Sequence, residues 1–408
     1  AAQGARVIVT VDNGIGAHEA VERANALGVD VIVTDHHLPG ARLPDALAVV
    51  DPHRADASGQ GRGLCGCGVA FKTAWAVAER LRDLAGSSSQ EAARLREFLR
   101  DAVGLVALAT VSDVVPLRGE NRVLVASGLA ALRASLHPGI RALLECARVG
   151  ATPLTTEDVA FRIAPRLNAA GRLSKPALVI ELLTSTDLET ARGLARNLHE
   201  ANGERRKIEQ KVLEQAVVQA ESILSSAERR SLVVHGEGWH RGVIGIVAAR
   251  LVDRHNLPTV VIGFDGEGGR GSCRTPQPVD LHRALTDCDP HLDRYGGHAA
   301  AAGLDICRTK IDAFSEAFEQ AVRLQTEAGD VQRTIDVDLE AETEDFSLEA
   351  VEALQRLAPF GEANPEPVFA VRGATVAGRA RLMGQNDAHI AFSIKQAQGA
   401  IRVVGFRK

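Results

Sequence analysis

Aromatic residues are scarce. They make up 3% of the 408 residues, with two Trp and one Tyr, which excludes an extended surface of rings stacked on bases. Six cysteines (Cys65, Cys67, Cys146, Cys273, Cys288, Cys307) include no Cys-x-x-Cys pair. In a chain this long they read as reduced thiols of a cytosolic protein rather than a disulfide framework. No apolar run approaches the length of a membrane span. Positive charge is not in excess: 47 Lys and Arg face 52 Asp and Glu, a net charge of −5. That excludes a basic tail and a globally cationic nucleic-acid binder, but not a local positive groove. Methionine occurs once, at Met383, residue 1 is Ala, and no signal-peptide pattern precedes the first strand. The pattern of a buried strand begins by residue 6, so an N-terminal truncation is expected, Met removal being the alternative.

The remainder is ordinary for a soluble globular protein, with 45% hydrophobic and 24% charged residues, and the length predicts two to four domains. Val7–Val11 is a β-branched run that suits a strand buried on both faces. His18–Leu27 has helical spacing with Gly28 as its C-cap, Val31–Thr34 is a second strand, and Ala46–Val50 is a third. Strand, helix, strand predicts a parallel βαβ unit. A Gly-rich stretch at 61–68 precedes a predicted helix over about 69–84, and 86–90 reads as a loop. Residues 187–226 are helix-prone, without Pro, and long enough for a connector between domains. A second α/β block follows: strand Ser231–Val234, helix near 243–254, strand Thr259–Gly263, then Gly-rich segments and helices to about 325. From 333 the period changes to two, with Ile335, Val337 and Leu339 alternating with acids. A helix over 348–358 and several short strands follow, as in a small β-barrel module.

Chemistry concentrates where strands end. Asp12 follows the first strand directly, and Asp35, His36 and His37 follow the second. In an open parallel sheet the carboxyl ends of neighbouring strands meet at one edge, where ligands bind. Two carboxylates and two imidazoles around one crevice suit Mn²⁺, Zn²⁺ or Fe²⁺ better than Mg²⁺ alone. Asp12-Asn-Gly on its own reads as a turn; Asp-His-His after a β-branched strand, beside an equivalent Asp, favours a metal. Asp113, between an apolar helix and Pro116, joins the set by company; alone it would be a cap or a solvated turn residue.

In the second block, Gly269–Thr275 reads as a Gly-rich backbone offering N–H groups, with Ser272 and the Arg274 fork beside it. Tyr295–Gly303 places a Gly pair and His298 at the start of a predicted small-residue helix, an anion site at a helix N-terminus. Either could instead be a tight turn. Trp239 and His240 are further candidates, Trp239 more readily as a packed ring. Arg166, Asn168 and Arg172 stand among small residues that permit close backbone approach, balanced between phosphodiester contact and surface salt-bridging. Glu204–Lys207 reads as a solvated face.

With these residues in place, the chain resembles the bacterial RecJ single-strand-specific 5′ exonucleases of the DHH phosphoesterase superfamily. The matching segments are Val11–Ile15, Val33–Pro39, Val111–Leu117, Pro165–Leu173, Trp239–Ile246, Gly271–Arg274, Gly296–His298 and Pro359–Pro367, in family order across nearly the whole chain. Asp-His-His marks only the superfamily; Arg-Leu-Asn-Ala-Ala-Gly-Arg and Pro-Phe-Gly…Asn-Pro-Glu-Pro narrow it to RecJ.

The resemblance implies an α/β protein. It would comprise an incomplete parallel-sheet DHH domain over 1–150, an associated helical segment over 151–186 and a connector helix over 187–226. A DHHA1 domain over 227–328 and an incomplete OB-like module over 329–408 would follow. It implies removal of nucleotides from the 5′ end of single-stranded DNA with Mn²⁺ or Mg²⁺, two ions in the intact enzyme, in recombination and repair. Asp12, His36 and Asp113 would be metal ligands, Asp35 a supporting acid and His37 a residue near the scissile phosphate. Ser272, Arg274 and His298 would contact phosphate, while Arg166, Asn168 and Arg172 would touch the strand. Implied partners are a single-strand-binding protein and a RecQ-type helicase, for a cytoplasmic monomer with no membrane contact. The family's Asp-x-Asp motif on an earlier strand is missing from this stretch, so one ion rather than two is expected from the residues present, and Cys273 stands where Gly is expected. The alternatives are a small-substrate DHH phosphoesterase acting on nano-RNA or cyclic dinucleotides, and a non-catalytic single-strand-binding protein.

Overall fold

In the computed structural model, residues 4–57, 61–85, 89–150, 153–226, 228–276, 279–326, 334–384, 387–396 and 399–406 are described. The chain divides into two compact units. One gathers residues 1–136, 149–164 and 336–408, and the other holds 137–148 and 165–335.

The first unit opens with β1 (Val7–Val11), α1 (His18–Ala26), β2 (Asp30–Thr34) and β3 (Ala48–Val50), whose strands pair in parallel in the order β1-β2-β3. α1 buries Val21 against the sheet and stops where Gly28 takes a left-handed φ of 69°. Val31 and Val33 of β2 are buried. β1, expected to be buried on both faces, is not: Val7 is 48% and Val9 56% exposed. It is the edge strand, and its β-branched sequence says that it pairs, not what covers it. Three helices follow, α2 (Gly66–Ala85), α3 (Ser89–Ser112) and α4 (Gly119–Ala134). α2 begins three residues earlier than its apolar period predicts and takes in Gly66-Cys-Gly68, because packing of its first turn outweighs the low helix propensity of glycine. Of the loop expected at 86–90, residues 86–88 lie outside the described residues and α3 begins at Ser89.

The second unit contributes α5 (Pro138–Cys146). A π-helical run, Asp158–Ile163, belongs to the first unit and leads into α6 (Ala164–Arg172), then α7 (Ala177–Thr184) and α8 (Leu188–Ser226). α8 is one continuous helix of 39 residues whose buried stripe is built largely of alanines (Ala191, Ala195, Ala201, Ala216, Ala220), which lets its neighbours approach closely. A five-stranded mixed sheet runs in the order β4-β5-β6-β8-β7. β4 (Leu232–Glu237) and β5 (Thr259–Asp265) are parallel and joined by α9 (Arg241–His255). β6 (Gly268–Arg274), α10 (Leu281–Asp287), β7 (Arg294–Gly297), β8 (Ala301–Cys307) and α11 (Ile311–Thr326) complete it. Ile262, Phe264, Leu281, Leu285, Phe314 and Phe318 form the centre of its core.

Two segments of this sheet differ from their predicted form. Gly269–Thr275 is not an open loop: through Arg274 it is strand β6, antiparallel to both β5 and β8, so its N–H groups serve the ladder. Tyr295–Gly303 is not the start of a helix but a hairpin, β7 and β8, with the His298 N–H donating to the Ala301 carbonyl at 2.8 Å. Alanine's helix propensity yields to pairing with β6, where small residues let the strands meet.

The first unit resumes with β9 (Leu339–Glu340), α12 (Leu348–Leu354), β10 (Phe369–Ala370) and an antiparallel sheet of β11 (Thr375–Met383), β12 (His389–Gln396) and β13 (Gly399–Phe406). The alternation from Ile335 yields only a two-residue strand, with Ile335 and Val337 exposed. Its partner β10 is equally short, and a period without a partner makes no sheet. The Pro359–Pro367 segment docks onto the residues before α4. Leu117 N–H donates to the Glu362 carbonyl (2.7 Å), Arg118 Nε to Ala363 (2.8 Å) and Thr156 Oγ1 to Phe360 (2.6 Å). No single described helix is long and apolar enough to cross a membrane.

Candidate metal centre

The strand ends of the first unit carry the site. β1 stops at Asp12, which holds a left-handed φ of 63° and donates its N–H to the Thr34 carbonyl at 3.0 Å. That backbone turn aims its carboxylate across the end of β2. His36 Nε2 lies 3.0 Å from Asp12 Oδ1 and 3.6 Å from Asp113 Oδ2. Asp113 reaches this point from the turn after α3. Two donors held at about 2.1 Å from one ion at a right angle lie about 3.0 Å apart, so Asp12 and His36 are spaced as two ligands of one cation, and Asp113 stands beside the same imidazole nitrogen. The ligand atoms of Asp12, His36 and His37 also lie within 4.8 Å of one another. Burial raises the Asp113 carboxyl above its ordinary value; nearby His36 opposes this and Asp12 adds to it.

Asp35 supports the group from below. It is 1% exposed. Its Oδ2 accepts the Ile15 N–H (3.0 Å), and its Oδ1 accepts His36 N–H (2.8 Å), His37 N–H (3.3 Å) and His37 Nδ1–H (2.7 Å). Burial pushes its pKa up, but the hydrogen bonds from Ile15, His37 and His36 outweigh it, and the carboxyl sits below its ordinary range. The hydrogen bond to Asp35 in turn raises His37 above the usual imidazole value, against its own partial burial. With Nδ1 committed to Asp35, Nε2 is the ring atom His37 can offer a ligand.

Asp51 was missed by sequence reasoning. It follows β3 directly, as Asp12 follows β1 and Asp35 follows β2. It is 5% exposed, its Oδ1 accepts the His53 N–H at 2.7 Å, and its Oδ2 has no hydrogen-bond partner among the described residues. Burial raises its pKa. The signal was available: an acid at a third parallel strand end.

The second unit gathers a separate basic group. Arg172, at the end of α6, donates from Nη1 to the Gly242 carbonyl (3.0 Å) in the first turn of α9, and the His240 ring caps that helix by accepting the Gly242 N–H (3.0 Å). Ser272 and Arg274 lie beneath α9, their side chains bonded at 3.2 Å. A Cβ on Gly245 would lie 3.0 Å from Ser272 Oγ and 3.4 Å from Arg274 Nη2. Burial, with the charge of Arg172, holds Arg274 below its ordinary value. Among the described residues neither guanidinium meets a carboxylate. An anion would relieve both. Asn168 lies one turn before Arg172 on the same face of α6, whereas Arg166 is half-buried on another face. His298 is exposed in the β7–β8 turn, beyond the Ala301 that pairs with Arg274. Cys273 alternates to the opposite face of β6, fully buried in the core. Trp239 packs, with Nε1 donating to Gln215 at 2.7 Å.

Comparison with known proteins gives this arrangement its context. Residues 4–110 match the DHH family N-terminal domain, 221–324 the DHHA1 domain and 337–408 the RecJ OB domain. The single-stranded-DNA-specific exonuclease RecJ of Dickeya dadantii is 38% identical over 393 residues, 94% of this chain and 67% of that protein. That of Haemophilus influenzae is 33% identical over 98% of this chain and 70% of its own length. This chain belongs to the RecJ family. The share of a RecJ relative that it spans varies, falling to 49% for that of Bacillus subtilis, at 35% identity. RecJ from Thermus thermophilus in complex with Mn²⁺ superposes with a TM-score of 0.83 at 34% identity, covering 100% of this chain and 57% of that one. The same organism's RecJ with Mg²⁺ gives 0.77 at 32%, covering 100% and 62%. The fold is accordingly the α/β arrangement of RecJ: a parallel-sheet DHH domain, a DHHA1 domain and an OB module.

Proposed function

We propose that this chain carries the chemistry of a divalent-metal-dependent exonuclease that removes nucleotides from the 5′ end of single-stranded DNA, in recombination and repair. The observation that carries this reading is the convergence of Asp12 and Asp113 on His36 Nε2, at 3.0 and 3.6 Å, in a chain similar throughout to Mn²⁺-bound RecJ. Asp12, His36 and Asp113 would hold Mn²⁺ or Mg²⁺, with two ions in the intact enzyme. A bound divalent cation would supply Lewis acidity, polarising the phosphodiester and making water a competent nucleophile near neutral pH. Asp35 fixes the ring of His37, which presents Nε2 to the phosphate and stabilises charge that builds there. Arg172, Ser272 and Arg274 would neutralise a phosphate of the strand, with Arg166, Asn168 and His298 as outer contacts.

The same reading divides the chain at 150, 186, 226 and 328. It gives single-stranded DNA as substrate, a single-strand-binding protein and a RecQ-type helicase as protein partners, a monomeric state and a cytoplasmic location. The test is hydrolysis by the full-length protein with Mn²⁺. A long 5′-phosphorylated single strand should be degraded at least 100-fold faster than a dinucleotide. A preference for dinucleotides would establish the small-substrate phosphoesterase instead, and binding without hydrolysis would leave a strand-binding protein.

A further inference from the structure

The Gly-rich stretch at 61–68 has no part in the chemistry above, yet one of its glycines touches the metal centre. Gly66 is the first residue of α2. A Cβ built on it would lie 2.2 Å from Asp12 Oδ1 and 2.5 Å from both Cβ and Cγ of Asp12. The contact to Cβ decides the matter. Turning the Asp12 side chain moves its oxygens but leaves Cβ in place, so no rotamer of Asp12 accommodates a side chain at position 66. Relief would require the end of β1 or the start of α2 to move. β1 is not free to yield there: Asp12 N–H is tied to the Thr34 carbonyl at 3.0 Å, beside the strand end that carries His36. The neighbouring glycine differs. A Cβ on Gly68 would meet Leu64 Cδ2 at 3.1 Å, the far end of a flexible chain that can give way.

From this contact we infer that Gly66 is a positioning residue for the metal centre: its missing side chain seats the first turn of α2 against Asp12 and fixes where that carboxylate stands relative to His36 Nε2. The inference rests on the reading of Asp12 and His36 as metal ligands. The Gly66→Ala substitution would shift Asp12 by a fraction of an ångström to an ångström, and cation sites tolerate only about 0.2 Å of error in ligand distance.

The experiment titrates the 408-residue chain with Mn²⁺ alone, following free Mn²⁺ by electron paramagnetic resonance, with far-UV circular dichroism as the check on folding. Gly66→Ala should weaken Mn²⁺ binding at least tenfold while Gly68→Ala stays within twofold of the parent. Binding within twofold for a folded Gly66→Ala would overturn the inference. If Gly66→Ala does not fold, the Asp12→Gly/Gly66→Ala pair decides, since removing the Asp12 side chain removes the collision. Recovery of the fold supports the inference, and failure to recover overturns it. Asp12→Asn and His36→Ala separate this outcome from the metal reading: if neither weakens Mn²⁺ binding, it is the assignment of the ligands that fails.

Discussion

The His37 ring donates its Nδ1 hydrogen to the buried Asp35 carboxylate at 2.7 Å, while the same carboxylate accepts the backbone N–H of Ile15 from the turn after β1. One side chain thus fixes both the imidazole ring of His37 and the loop that leads away from Asp12.

Asp35→Asn should therefore damage fold and site together. The amide keeps one acceptor oxygen but presents N–H to a donor, leaving an N–H of Ile15 or His37 unsatisfied. The expected cost is about 1–3 kcal/mol in urea unfolding, with about a 10–100-fold loss in Mn²⁺ affinity or turnover, as for other residues that orient ligands. Unchanged unfolding and unchanged binding would show that Asp35 is dispensable.

Metal and stability should be linked through Asp113. Mn²⁺ at about 100 times its dissociation constant should stabilise the folded chain by about 2.7 kcal/mol, read as a rise in melting temperature that a chelator reverses. Asp113→Ala should remove most of that rise with little effect on the unliganded protein, because its carboxylate is 45% exposed. A rise that survives in Asp113→Ala would take this residue out of the site. The same variant in the full-length enzyme should abolish hydrolysis.

The Pro359–Pro367 segment should behave as a structural clasp. Asn364 Nδ2 donates to the carbonyls of Leu357 (3.1 Å) and Pro359 (2.8 Å), holding the loop whose next residues bond to Leu117 and Arg118. Asn364→Ala should cost about 1–3 kcal/mol by leaving the part-buried Pro359 carbonyl without its donor, while the Leu357 carbonyl keeps Arg122 Nη2 at 2.7 Å; this is seen as a lower unfolding midpoint with Mn²⁺ affinity unchanged. Lost Mn²⁺ affinity in a fully stable variant would assign the motif to the metal centre instead.

His235 gives a pH dependence independent of the metal. It lies on β4 with its ring 5.7 Å from that of Phe264, and burial, aided by the Arg308 charge and opposed by Asp312, holds its pKa below 6.5. The unfolded chain takes up the proton first as pH falls. The stabilisation is thus complete above pH 6.5 and is lost between 6.5 and the lower folded value. Urea midpoints at about pH 7.5 and about pH 5.5, on either side of the imidazole range, should differ less for His235→Leu than for the parent; equal differences would show that His235 does not titrate in this window.

Much of this was legible in the sequence because it is local. The β-branched runs at Val7–Val11 and Asp30–Thr34 make strands by their own sterics, the Pro-free stretch from Leu188 makes a helix, and an acid or imidazole directly after a parallel strand stands at the strand's end. Asp12, Asp35, His36 and His37 could be named on that ground alone. Tertiary structure decided what depends on partners distant in the chain. Gly269–Arg274 and Ala301–Cys307 became strands because each pairs with the other. β1 lay exposed because what covers a strand's faces is set by other elements and not by its own sequence. The burial of Asp51 and the contact of Gly66 with Asp12 follow from packing. Spacing and propensity act over a few residues, whereas burial, register and close approach are set by elements tens of residues apart.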